Sequence, residues 1–320
     1  MSLPSVSEVR RRINNIQNNK ELPFPPTIKP YAAENFFKFV YAVDLRVGEA
    51  CGLSYPSETA NQTGLYINVR KEEFRPNIKK HGQVLALHGF TEIGKAYTLE
   101  EVMKKYSGEE VAIFTIMLEK RKGNVTRETA LPLNPDYEPY TRDIYEYISK
   151  RQPEAMLCAE KIHKRMETHN LKTLKDFIRK YPNEYTKITE KHEPVFPWQR
   201  QAIYPIAKKL FEGMQYYIES YPIPVLDEKG NRQYKIGIDG KKRTVQETVP
   251  GHFKDGSDHF LRHVRSTELA DDYDIEGPRL DAFTGWVSGR GSESGSGTQK
   301  RYAKRTWESY IAYLLVKRKL

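Results

Sequence analysis

The stretch that most limits the fold runs from Val111 to Leu133. There, two β-rich runs, VAIFTIML and VTRETALPL, flank the short basic connector EKRKGN. Runs of Val, Ile, Thr and Phe joined by a Gly-containing turn predict an antiparallel hairpin. Most other segments carry helical spacing instead. Residues 5–22 read as a short basic helix, and PFPPTIKP then forbids regular structure. Between Glu34 and Leu53 the positions of Phe36, Phe37, Val40 and Tyr41 predict a helix, a break near Asp44, and a second short helix stopped by Gly52. Helical patterns follow in TLEEVMKKY, DIYEYISKR, EAMLCAEKIHKRM, TLKDFIRKY, WQRQAIYPIAKKLFEGMQYYIESY and WESYIAYLL. Residues 226–250 predict a further small β element, with DEKGN and DGKK as its turns. No repeat or linker divides the chain, so the expectation is an α+β fold, mostly helical, with a small antiparallel sheet. One domain at 31–320 follows an N-terminal basic arm at 1–30, with insertions near 56–110 and 220–250.

Charge narrows the partners. Lys and Arg number 52 against 42 Asp and Glu, a net charge of +10 that favours a polyanionic partner. Cys51 and Cys158 form no CxxC pair, which argues against a zinc ribbon or a redox dithiol. Few cysteines, no signal-like start and no long apolar run lead to the expectation of a cytoplasmic protein outside the membrane.

Within DHFLRHVRSTEL, the residues His259, Arg262, His263 and Arg265 crowd four cationic or potentially cationic groups into seven positions. Helical pitch puts His259 and Arg262 on one face with Ser266 a turn further on, while Phe260, Leu261 and Val264 turn to a core. A guanidinium fork beside an imidazole suits a phosphate. An exposed basic helix face is the plain alternative, and His259 with His263 lacks a local third ligand for a metal.

A second box, FVYAVDLRVGEACGL, resembles the first box of the tyrosine recombinase, or phage integrase, family: a helix, a turn, then an Arg opening the next helix with a Glu three residues on. Arg46 and Glu49 take those places. HFLRHVRSTEL then looks like that family's His-x-x-Arg box, LDAFTGW like the element that follows it, and the basic hairpin like the turn that carries the family's catalytic Lys. The likeness runs from about residue 30 to the end. The usual Thr-Gly before the first Arg is Val43-Asp44 here, where Asp44 can instead cap the next helix. The usual N-terminal DNA-clamping domain is missing or reduced to some thirty residues.

The resemblance implies a site-specific recombinase that binds double-stranded DNA, self-associates as a tetramer on it, and cuts through a 3′-phosphotyrosine. Neither ATP nor a metal is required. Carried over, Arg46 and Arg262 clamp the phosphate, His259 manages a proton or holds the phosphate, and Trp286 packs or donates its N–H. Glu49 orients Arg46 or a neighbour. Lys120 protonates the leaving oxygen, with Lys122 the alternative one register away. Tyr302, in KRYAKR, is the expected nucleophile, where neighbouring cations lower a phenol's pKa. Tyr310 and Tyr313 share helical spacing with Trp307 and are expected to pack. Two other readings stay open: a type IB topoisomerase, and a DNA-binding protein of the same fold without catalysis.

Overall fold

A computed structural model describes residues 5–53, 64–75, 90–92, 95–97, 107–120, 123–218, 220–228, 231–236, 242–256, 260–284, 307 and 310–315. The expected hairpin is present. Strand β4 (Glu110–Lys120) pairs antiparallel with β5 (Gly123–Pro132), and β1 (Tyr66–Glu73) adds on the far side of β4 to give the order β1-β4-β5. Val111 through Phe114, with Ile116, are all buried, so this central strand is covered on both faces. The hairpin β2 (Phe90–Glu92) and β3 (Lys95–Tyr97) lies apart from this sheet. The helical-looking TLEEVMKKY lies outside the described residues.

Helix α2 (Pro30–Ala42) runs through the middle of the core. The sequence spacing suggests one apolar face, but Phe36, Phe37, Phe39, Val40 and Tyr41 are all fully buried, as befits a helix enclosed on every side. Phe36 meets Phe196 edge-on at 5.1 Å, and Phe37 meets Phe211 at 6.2 Å. The N-terminal segment, expected as a basic arm, packs into this same core. Helix α1 (Val6–Asn14) is capped by Ser5 and buries Val9 and Ile13.

After α2 the chain breaks where expected. Asp44 takes the left-handed conformation at φ 56°, a position few residues other than Gly, Asn and Asp accept. The short helix α3 (Val47–Ala50) follows. Gly52 works by close approach, because a Cβ there would lie 2.4 Å from the Pro194 side chain.

The two patterns DIYEYISKR and EAMLCAEKIHKRM form one helix, α4 (Thr141–Thr168), which continues through Pro153 and lies against β1 and α2. Its far half joins α5 (Leu174–Lys180) and α6 (Pro182–Lys191) around a second cluster containing Cys158, Ile162 and Phe177. Helix α7 (Arg200–Leu210) ends eleven residues before the pattern suggested. Gly213, at φ 78°, turns the chain, and QYYI becomes strand β6 (Gln215–Ile218). Further strands follow: β7 (Tyr221–Pro224), β8 (Tyr234–Ile236), β9 (Lys242–Thr244), β10 (Gln246–Val249) and β11 (His252–Asp255). The body resumes with α8 (Phe260–Tyr273), α9 (Pro278–Thr284) and α10 (Ile311–Leu315). Helices α9 and α10 lie against β5, and α8 lies against α2. No helix among the described residues is long and apolar enough to cross a membrane.

Candidate active site

The break between α2 and α3 faces α8, and this juxtaposition gathers the charged groups. Arg46 is the N-cap of α3 and is part-exposed. Its backbone N–H donates to Glu49 Oε2 at 2.9 Å, and its Nη1 reaches Glu49 Oε1 at 3.1 Å. Arg262, on the first turn of α8, brings Nη1 to 3.5 Å from Glu49 Oε2. Two guanidiniums 216 positions apart therefore meet on one buried carboxylate. Glu49 fixes their spacing, since each of its oxygens faces a different arginine.

Asp44 does not cap α3. Its buried side chain turns to α8, where Ser266 donates to Oδ2 at 3.2 Å, while buried Oδ1 has no hydrogen-bond partner. Burial pushes its carboxyl up to about 6, although Arg262, Arg127 and the Ser266 hydroxyl all favour the charged form. Arg127, on β5, supports the turn from behind. It donates to the carbonyls of Val43, Asp44 and Phe283 and to Thr129 Oγ1. Burial draws the Arg127 guanidinium down to about 10. The sequence signal for Arg127 was its register: Arg127 and Thr129 are buried where Thr126 and Glu128 are exposed, the inward positions of an alternating stretch.

Three guanidiniums thus face two carboxyls, one of which titrates near neutrality. The cluster keeps a net positive charge in either state of Asp44, which suits a bound anion. The stem of Arg200 also lies over this region, with Cδ 3.4 Å from where a Gly48 Cβ would be.

Arg265 plays a different part from that suggested by the crowded box. It is fully buried and pairs at 2.6 Å with both Glu138 and Glu268. Arg10 of α1 pairs with Glu268 at 2.6 Å, and Tyr41 donates to the same carboxylate at 2.7 Å. Its anions are therefore the protein's own, and the network ties α1, α2, α8 and the start of α4 together. His263 is exposed and lies beside Tyr216, with ring centroids 4.8 Å apart.

Lys120 ends β4 opposite Gly123. Lys122, His259, Trp286 and Tyr302 lie outside the described residues. Tyr310 is buried, and its hydroxyl accepts the Ala130 N–H at 2.7 Å. Burial raises its pKa and disfavours the phenolate a nucleophile needs. Tyr313 is buried under Arg279, whose guanidinium stands 4.3 Å from its ring.

Asp44→Asn gives a stability test with a defined sign. A raised carboxyl pKa means that Asp44's contribution is fully present below the ordinary aspartate range and is lost as pH rises through about 6. The asparagine variant is therefore expected to gain up to about 3 kcal/mol over the parent at pH 8, from about two pK units. Denaturant unfolding should show that difference vanishing below about pH 4; a difference independent of pH would contradict the titration.

No protein-family model, curated protein or solved structure matches this chain, so what the site can do is read from its own residues.

Proposed function

We propose that the protein is a DNA strand transferase of the tyrosine recombinase type. The observation that carries this reading is the convergence of Arg46 and Arg262 on the two oxygens of Glu49. These are the arginines of the two boxes that resemble the family, and a preorganised guanidinium pair stabilises the charge of a phosphoryl transition state without a metal. The left-handed turn at Asp44 adds support, because a turn between the same two helices is where the family places Gly.

In this reading Arg46 and Arg262 hold the non-bridging oxygens of a scissile DNA phosphate. The hydroxyl of Tyr302 attacks phosphorus and passes its proton toward His259. The P–O5′ bond breaks as Lys120 protonates the leaving 5′-oxygen, giving a 3′-phosphotyrosine. A partner 5′-hydroxyl then reverses the step, which conserves the phosphodiester energy. Strand exchange requires self-association on double-stranded DNA.

The test is a nicked duplex that loses its free end after cleavage, trapping the intermediate. A denaturation-resistant protein–DNA band is expected. DNA binding without such a band would favour a binding protein lacking catalysis.

A further inference from the structure

Between α7 and α8 the chain leaves the body as a long antiparallel excursion. β6 pairs with β11, β7 with β10, and β8 with β9. Hydrogen bonds join these rungs through Val225, Gln233 and Val245. The root is anchored on α8. Tyr216 is buried and packs on Phe260 and His263, two and one residues from or beside Arg262. Beyond the root, the side chains turn outward. Tyr217, Leu226, Tyr234, Ile236 and Phe253 are all exposed, Ile236 by 79%. Of these, Tyr217 and Phe253 lie together, with ring centroids 5.3 Å apart.

The far end has a strong sign of charge. Residues 229–243 hold six cations, Lys229, Arg232, Lys235, Lys241, Lys242 and Arg243, against one carboxylate, Asp239. That net +5 in fifteen residues is half of the +10 carried by the whole chain. The register divides the two faces of β8/β9. Lys235 stands opposite Arg243 on one face, and Tyr234, Ile236, Lys242 and Thr244 share the other. Lys242 lies 4.3 Å from the Tyr234 ring, so the second face combines an aromatic surface with a cation.

We infer that the β8/β9 ribbon is a duplex-DNA-binding arm, with Lys235 and Arg243 set against the phosphate backbone. Charge complementarity selects nucleic acid over a protein partner, and a two-stranded ribbon has the width to enter the major groove. The excursion is rooted on the helix that carries Arg262, and the ribbon is its outer end. The inference rests on the DNA-acting reading above for its ligand but not on strand cleavage.

The experiment measures binding of the full chain to a labelled linear duplex of mixed sequence across a salt series. Replacing two phosphate contacts by Lys235→Ala with Arg243→Ala should make the log-log salt slope less negative by about 2 and weaken binding at least about tenfold at low salt. Both side chains are exposed, so the fold is retained. A parent-like affinity and slope overturn the arm. A ribbon-dependent slope in a protein that never forms a covalent adduct leaves the arm standing and sinks the cleavage reading. Separately, a photo-crosslinking residue at Ile236 should capture the duplex. Capture of a second protein chain in its place would overturn the assignment.

Discussion

Replacing Arg262 by Ala should slow strand cleavage by about two to three orders of magnitude, the usual effect of removing one preorganised donor from a transition-state cradle. Arg46→Ala should do the same. Bulk DNA affinity should change little in both, because nonspecific binding is spread over many phosphate contacts. The two differ in stability. Arg262 is buried beside Glu49 and Asp44, so its loss leaves buried carboxyls poorly compensated, whereas Arg46 is part-exposed. Arg262→Lys separates charge from geometry, keeping the cation while losing the planar fork. Single-turnover cleavage on a trapping duplex reads the effect. Cleavage within about threefold of the parent, far less than loss of one preorganised donor, would remove that arginine from the clamp.

Arg265→Ala should cost about 3–5 kcal/mol of folding stability, because it leaves Glu138 and Glu268 buried with Arg10 as their remaining counter-charge in the network. That is a large share of the total for an ordinary domain. The pH dependence has the opposite sign to that of Asp44. Burial opposes the charge on Glu268, but Arg265 and Arg10 outweigh it and hold the carboxyl below its usual range. The network's stabilisation is therefore present above the ordinary glutamate range and lost as pH falls below it, through the lowered pKa of Glu268. Denaturant unfolding at neutral pH provides the measurement, and a loss under about 1 kcal/mol would show that Arg265 is not the tie between these helices.

Local features of this chain are legible in its sequence, and long-range contacts are not. The hairpin at Val111–Leu133 and the break at Asp44 were legible because turn chemistry and period are encoded within a few residues. The extension of α7 was misread because QYYI fits an apolar helix stripe as well as a strand, and Gly213 decides between them. DHFLRHVRSTEL singled out Arg262, which the structure brings to Glu49, but gave no sign that Arg265 faces inward. One of its partners, Glu138, lies 127 positions away. The position of Asp44 before α3 also allows a capping role. Tertiary contact with Ser266 overrides that role. Arg127 was missed because a cation in a strand reads as outward unless its inward neighbour Thr129 is weighed with it.

In the proposed reaction a tyrosine of this chain becomes bonded to DNA while Arg46 and Arg262 hold the phosphate. Peptide mapping of the adduct trapped on a nicked duplex tests it most directly. The linkage should fall on Tyr302, and Tyr302→Phe should bind DNA as the parent does yet form no adduct. Tyr310→Phe and Tyr313→Phe should still form it, since both rings are buried. A phosphotyrosyl linkage at Tyr310 or Tyr313 would contradict the assignment of the nucleophile, and the absence of any linkage from a DNA-bound parent would contradict the strand-transfer reading itself.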